Sequence, residues 1–177
     1  MVRVARARGL DGVCLTEHDA LWPLEDVRRL SDELEFTVLR GMEVTTEVGH
    51  VLVYGLASYH PSMAQISELR GIVESEGAVM YLAHPSRRYG TLLPHDLARL
   101  FESVESLNAS EGALQNETAA QLAERLRLPG IGGSDAHSAR EAGRCATRFG
   151  VLIVDEASLV AALRAGTYEA VQAPREL

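Results

Sequence analysis

Histidines and acids gather where short apolar runs of this sequence end. Val13-Cys14-Leu15 leads into Thr16-Glu17-His18-Asp19, and Phe36-Thr37-Val38-Leu39 leads into Gly41-Met42-Glu43. Val79-Met80-Tyr81-Leu82 is followed by His84-Pro85, Val104-Glu105-Ser106-Leu107 by Asn108, and Ile131-Gly132-Gly133 by Ser134-Asp135-Ala136-His137. His50 instead opens an apolar run, but it lies seven residues after Glu43, so a hairpin would return it to the same rim. Asp135 and His137, two apart in an extended segment, point to one side. Any one of these residues alone reads as well as a hydrogen-bonded structural group. Together, His18, Glu43, His50, His84, Asp135 and His137 predict one metal site. Imidazole nitrogen and carboxylate oxygen without thiolate suit Zn, Mn or Fe in hydrolysis, not a Cys-rich structural zinc. Glu43 is the natural bridge between two ions, which in a two-metal site stand about 3.5–4 Å apart.

Other polar residues carry less. Asp19 reads as a ligand, a loop cap or, first, a group orienting His18. Arg87 and Arg88 follow His84-Pro85-Ser86 and read either as a solvated pair or as a phosphate clamp, since Arg matches phosphate oxygens bidentately. His60 and His95 stand at helix starts and read as surface or capping residues. Ser134 lies in Gly133-Ser134-Asp135, which is not a nucleophile elbow.

The elements that must position these groups alternate between β-rich runs and helical stretches. Strands are expected at 12–16, 36–39, 50–54, 78–83, 104–107, 131–133 and 148–154. Helices are expected at 1–8, 23–33, 61–76, 94–101, 118–128 and 156–165, with Pro at several starts and Gly at several ends. The alternation predicts an α/β fold with a largely parallel sheet, whose reactive groups gather at the C-terminal ends of strands.

Composition narrows the chemistry. With 177 residues the chain makes one domain, 46% hydrophobic and 24% charged, in globular proportions. All 17 basic residues are Arg, so Schiff-base chemistry, a P-loop lysine and a carboxylated-lysine metal bridge are excluded. Cys14 and Cys145 form no C-x-x-C and are expected as reduced, packed thiols. The net charge of −8 makes nucleic acid polymers poor partners. No apolar run is long enough to span a bilayer and no leader opens the chain, so no membrane partner and a cytoplasmic location are expected.

Leu15-Thr16-Glu17-His18-Asp19 resembles the second motif of PHP domains, the polymerase and histidinol phosphatase superfamily. Gly41-Met42-Glu43-Val44 with His50 resembles the third, and Ala83-His84-Pro85 and Gly133-Ser134-Asp135-Ala136-His137 resemble the later ones. Residues from Ser138 onward, with Gly143-Arg144-Cys145-Ala146-Thr147, resemble the PHP-associated C-terminal segment of small stand-alone members. The resemblance implies a single PHP domain over 1–177, with a metal-site core at 1–137 and the associated segment at 138–177. It implies a distorted (β/α)7 TIM-like barrel with two or three divalent ions at its rim, hydrolysing phosphoesters through a metal-bridging hydroxide. Glu43 would bridge ions one and two, His50 and His84 complete site two, Asp135 hold ion one, and His18 and His137 ion three. Glu43, Asp135 and His84 form the implied catalytic set, with Asp19, Asn108 and Arg87 beside the ligands or the substrate. The family opens with a strand carrying H-x-H, and the sequence here has none. The expected form is therefore a barrel lacking its first strand, from an N-terminally shortened copy that holds one ion at Glu43, His50 and His84.

The implied activity is that of a metal-dependent phosphoesterase acting on a small phosphorylated metabolite or nucleotide. Two alternatives stand beside it: a catalytically silent PHP-fold domain with a structural or ligand-binding role, and an amidohydrolase-like C–N hydrolase, which the absence of Lys disfavours.

Overall fold

The computed structural model describes residues 1–173. The last four residues of the expected associated segment lie outside that range. The elements run α1 (Val2–Ala7), β1 (Gly12–His18), α2 (Leu24–Leu34), β2 (Thr37–Thr46), β3 (Gly49–Tyr54), a 3₁₀ turn (Pro61–Ala64), α3 (Ile66–Glu76) and β4 (Val79–Leu82). They continue with α4 (Ser86–Tyr89), α5 (His95–Ala98), β5 (Ser103–Asn108), α6 (Ala113–Leu126), β6 (Ile131–Gly133), β7 (Cys145–Phe149), α7 (Glu156–Ala165) and β8 (Tyr168–Gln172). No helix among the described residues is long and apolar enough to cross a membrane.

Six strands form a curled sheet in sequence order, β1 to β6, and β7 pairs with β8 separately. The β1–β2, β4–β5 and β5–β6 pairs are parallel, while β3 is antiparallel to both β2 and β4. The sheet is thus mixed, because the two-residue turn between β2 and β3 leaves no room for a crossover helix. Among the described residues β1 is hydrogen-bonded on one side only, to β2, so the sheet does not close into a barrel.

Several boundaries depart from the sequence reading. β2 does not stop at Gly41. The strand passes through, because a side chain there would come within 2.8 Å of the Tyr54 ring on the neighbouring strand, and glycine alone fits. The helix expected over 61–76 is broken: Gln65 is extended between the 3₁₀ turn and α3, whose first free N–H, on Ile66, is taken by the Glu47 carboxylate. The strand expected at 148–154 lies instead at Cys145–Phe149, and residues 150–154 form no strand.

Period-2 alternation sorts the strands into two faces. Met42, Val44, Val51, Val53, Met80, Leu82 and Val104 pack with Leu69, Val73 and Leu122 of α3 and α6. Val38 packs with Ala5 and Val27 of α1 and α2. The other face carries Leu39, Leu52, Val79 and Tyr81, with Cys14 beside them, covered by Leu159 and Leu163 of α7 and Tyr168 of β8. Counting in twos along the same strands puts His18, Glu43, His50 and Glu105 on this second face, beyond the apolar layer. Both thiols are free, Cys145 buried and Cys14 half-buried, and desolvation raises both their pKa values.

The β7–β8 pair is held against β6 by close backbone approach. The Thr147 hydroxyl donates to the Gly132 carbonyl at 2.9 Å and accepts from the Gly132 N–H at 3.0 Å. A Cβ on Gly132 would clash with the Ala146 carbonyl oxygen. Gly132→Ala should therefore push the pair off β6, at a cost of about 2–3 kcal/mol, as for other overpacked sites. In a chain of this size that lowers Tm by roughly 5–10 °C. A thermal melt checks it, and an unchanged Tm would contradict the packing described.

Candidate metal centre

Glu43 sits near the middle of β2 with its side chain mostly buried, and imidazoles approach it from two neighbouring strands and one strand end. His50 Nδ1, at the start of β3, lies 2.7 Å from Glu43 Oε1. His84 Nε2, two residues beyond β4, lies 3.2 Å from the same oxygen. His18 Nε2, at the end of β1, lies 3.7 Å from Oε2. The rings pack edge to face, with centroids 4.8 Å apart for His18–His50 and 5.1 Å for His50–His84. Register explains the meeting: His18 is opposite Glu43 in the β1–β2 ladder, and the β2–β3 hairpin brings His50 back opposite Thr45.

Burial alone would raise the Glu43 pKa. The hydrogen bond from His84, then the charges of His18, His50 and His84, outweigh it and hold the carboxyl below its ordinary value. The donor atoms of His18, Glu43 and His50 all lie within 4.8 Å of one another. Ligands about 2.0–2.2 Å from a shared ion stand roughly 3–4 Å apart, so this donor set fits a divalent cation with small side-chain shifts. His84 stands beside this set, with its Nε2 on the same carboxylate oxygen as His50 Nδ1.

A second network lies on the same rim. Asn108 Nδ2 donates to Asp135 Oδ2 at 3.2 Å and to Glu105 Oε2 at 3.0 Å, and Glu105 Oε2 also accepts the His84 backbone N–H at 2.9 Å. Asp135 is thereby linked to His84 through two side chains. Arg87 reaches Asp135 Oδ2 at 3.4 Å and pairs closely with Glu111. His137 is not drawn into the imidazole cluster: its side chain is 77% exposed and its Nδ1 donates to the Asp135 carbonyl at 3.0 Å. The Asp19 carboxylate accepts the Thr45 N–H at 2.8 Å, and its own N–H donates to the Glu43 carbonyl, so it ties the end of β1 to the backbone of β2. The segments just beyond β1, β4 and β6 share another feature: Asp19, His84 and Asp135 all have left-handed backbone, with φ of 51°, 28° and 46°. Such strain clusters where function requires a fixed geometry.

The chain has a defined resemblance to known proteins. Residues 113–168 match the family described as PHP-associated. No curated protein matches its sequence. Among solved structures, a crystal structure from Bifidobacterium adolescentis named "putative metal-dependent phosphoesterase" superposes with a TM-score of 0.63 at 17% identity, covering 93% of this chain and 89% of that one. At that identity the likeness is one of fold.

Within this site the residue that sequence reasoning passed over is Glu105. It interrupts an apolar strand three residues before Asn108, and the alternation on β5 was the signal that it faces inward. Desolvation pushes its carboxyl up to about 7, and Asp135 adds to this against the hydrogen bonds from Asn108 and His84. A carboxyl whose folded pKa is raised holds its proton more tightly folded than unfolded. Its contribution to stability therefore falls as pH rises from about 4.5 to about 7. Glu105→Gln has no such proton. In the metal-free protein the stability of wild type relative to this variant should fall by on the order of a few kcal/mol across that window. Denaturant titrations at pH 4.5 and 7.5 check it; a constant difference would contradict it.

Proposed function

We propose that this PHP domain is a divalent-metal-dependent phosphoesterase acting on a small phosphate monoester. The observation that carries the reading is the buried Glu43 carboxylate with the imidazoles of His18, His50 and His84 turned onto it. Zn, Mn or Fe would be held there, with Asp135 serving a further ion on the same rim. Bound ions supply Lewis acidity and an activated water for attack on phosphorus.

The protein's own residues bind and orient the substrate. Arg87 stands at the rim between Glu111 and Asp135, and its guanidinium is the group that would take the phosphate oxygens once ions engage the carboxylate. Beside His50 and His84 lies a cavity of about 180 Å³, walled by Val48, Leu82, Ala83 and Tyr89. It has room for a ring-sized group, since an apolar cavity of about 150 Å³ holds benzene. That fits a small metabolite or nucleotide, and the acidic chain disfavours polymers. Arg87→Ala should keep the fold at some cost in stability, because the guanidinium is half-exposed but the Glu111 and Asp135 carboxylates it pairs with are largely buried. It should raise KM about tenfold or more with a smaller change in kcat, as expected for lost ground-state binding. Steady-state kinetics on 4-nitrophenyl phosphate check this, and an unchanged KM would remove Arg87 from the substrate site.

The reading itself is tested by stripping the protein with a chelator and restoring Mn²⁺, Zn²⁺ or Fe²⁺ separately. Turnover of 4-nitrophenyl phosphate should vanish and return with the ion. Turnover indifferent to metal would contradict it. A silent, ligand-binding PHP domain is the second reading, favoured by the outward position of His137, and it predicts ion binding without turnover.

A further inference from the structure

We propose that Glu105 is a positioning residue, whose hydrogen bonds set the direction of both His84 and Asp135. The residue is 4% exposed, and among the described residues it forms no ion pair. A buried carboxylate without a counter-ion is unfavourable for packing alone, so what it accepts is informative. One oxygen, Oε2, receives the His84 N–H and the Asn108 amide, at 2.9 and 3.0 Å, and Asn108 passes its second N–H to Asp135. The ends of β4 and β5 thus meet at a single acceptor atom, and the Asn108 amide carries the tie on to Asp135 beyond β6. The two segments it holds are the strained ones, His84 at φ 28° and Asp135 at φ 46°. Left-handed backbone at such residues persists only when its surroundings fix it. With the acceptor removed, the buried His84 N–H would have no partner. The segment would then relax toward ordinary φ, turning the imidazole away from Glu43. Glu105 Oε1 lies close against Gly133, where only glycine leaves it room, since an added Cβ would come within 2.6 Å of it.

The consequence for ion binding rests on the metal-centre reading above, but the positioning itself is present in the metal-free molecule and is tested there first. Both bonds end on Oε2, so Glu105→Gln with its oxygen in that place keeps both, whereas Glu105→Met keeps the volume and neither bond. In metal-free protein, NMR should show the His84 amide of the Gln variant exchanging within about threefold of wild type. In the Met variant it should exchange at least about a hundredfold faster. Titration with Co²⁺, whose visible absorption reports ligand geometry, should give near wild-type affinity for Gln and a loss of about tenfold to a hundredfold for Met, the usual effect of removing a group that orients a ligand. Should the Met variant fail to fold, Asn108→Asp carries the test. It keeps the oxygen that accepts the Ser110 N–H and removes the donor to Glu105 and Asp135, and it should weaken Co²⁺ by tenfold or more. Wild-type exchange and Co²⁺ affinity in the Met variant would overturn the proposal. So would a Gln variant as damaged as Met, which would make charge rather than hydrogen bonding the function, or an Asn108→Asp variant with wild-type affinity. Protection of the His84 amide that follows the acceptor, in a protein that binds no Co²⁺, would uphold the positioning and reject the metal centre.

Discussion

Glu43→Gln should lose at least about a hundredfold in affinity for Mn²⁺ and bring phosphoesterase turnover to background, with the circular dichroism spectrum unchanged. Three imidazoles meet this one carboxylate, and it is the only negative group in the cluster of His18, Glu43 and His50. Glutamine keeps the shape and one acceptor oxygen but removes the charge that offsets a dication in a partly buried site. A loss of two orders of magnitude corresponds to about 2.7 kcal/mol, modest for removing an anionic ligand. The fold should survive, because Glu43 sits beyond the apolar layer of Leu39, Leu52 and Tyr81, which does not depend on it. Isothermal titration with Mn²⁺ and a phosphatase assay on the same preparation decide the matter. Full ion affinity in the variant would show that Glu43 is not a ligand.

Asp135→Asn should separate ion binding from turnover. Asp135 belongs to the second network, with Asn108 and Arg87, and is not among the three groups drawn together around Glu43. Its replacement should leave the first ion bound within about tenfold of wild type. Turnover should fall by roughly two to three orders of magnitude, because lost Lewis-acid assistance is worth several kcal/mol and each 1.36 kcal/mol is about tenfold. Kinetics at saturating Mn²⁺ measure it. Wild-type turnover would place Asp135 outside the chemistry and leave it as a partner for Asn108.

Some of this was legible in the sequence because its physics is local. Apolar runs ending in His18, Glu43 and His84 are strands whose ends carry polar groups, and the seven-residue spacing from Glu43 to His50 is a hairpin. Alternation then fixes which side chains share a face. What was not legible depends on groups far apart in the chain. Gly41 looks like a strand terminator until the Tyr54 ring lies against it. The antiparallel pairing of β3 with β4, which α3 separates in sequence, leaves no mark. Glu105 reads as one polar residue in a short strand, and its meaning comes from His84, 21 residues earlier, and from Asp135 through Asn108. The outward turn of His137 follows from its bond to the Asp135 carbonyl and from the Glu141 carboxylate, which accepts its N–H at 2.9 Å. No pattern of residue types carries that.

The metal centre itself is tested most directly by anomalous diffraction from crystals of the protein grown with Mn²⁺. The expected result is a strong peak within about 2.0–2.4 Å of His18 Nε2, a Glu43 oxygen and His50 Nδ1, with His84 alongside, since ligand distances to such ions fall in that range. A Mn²⁺ peak elsewhere on the protein, with the three imidazoles still closed on a bare Glu43, would contradict the account.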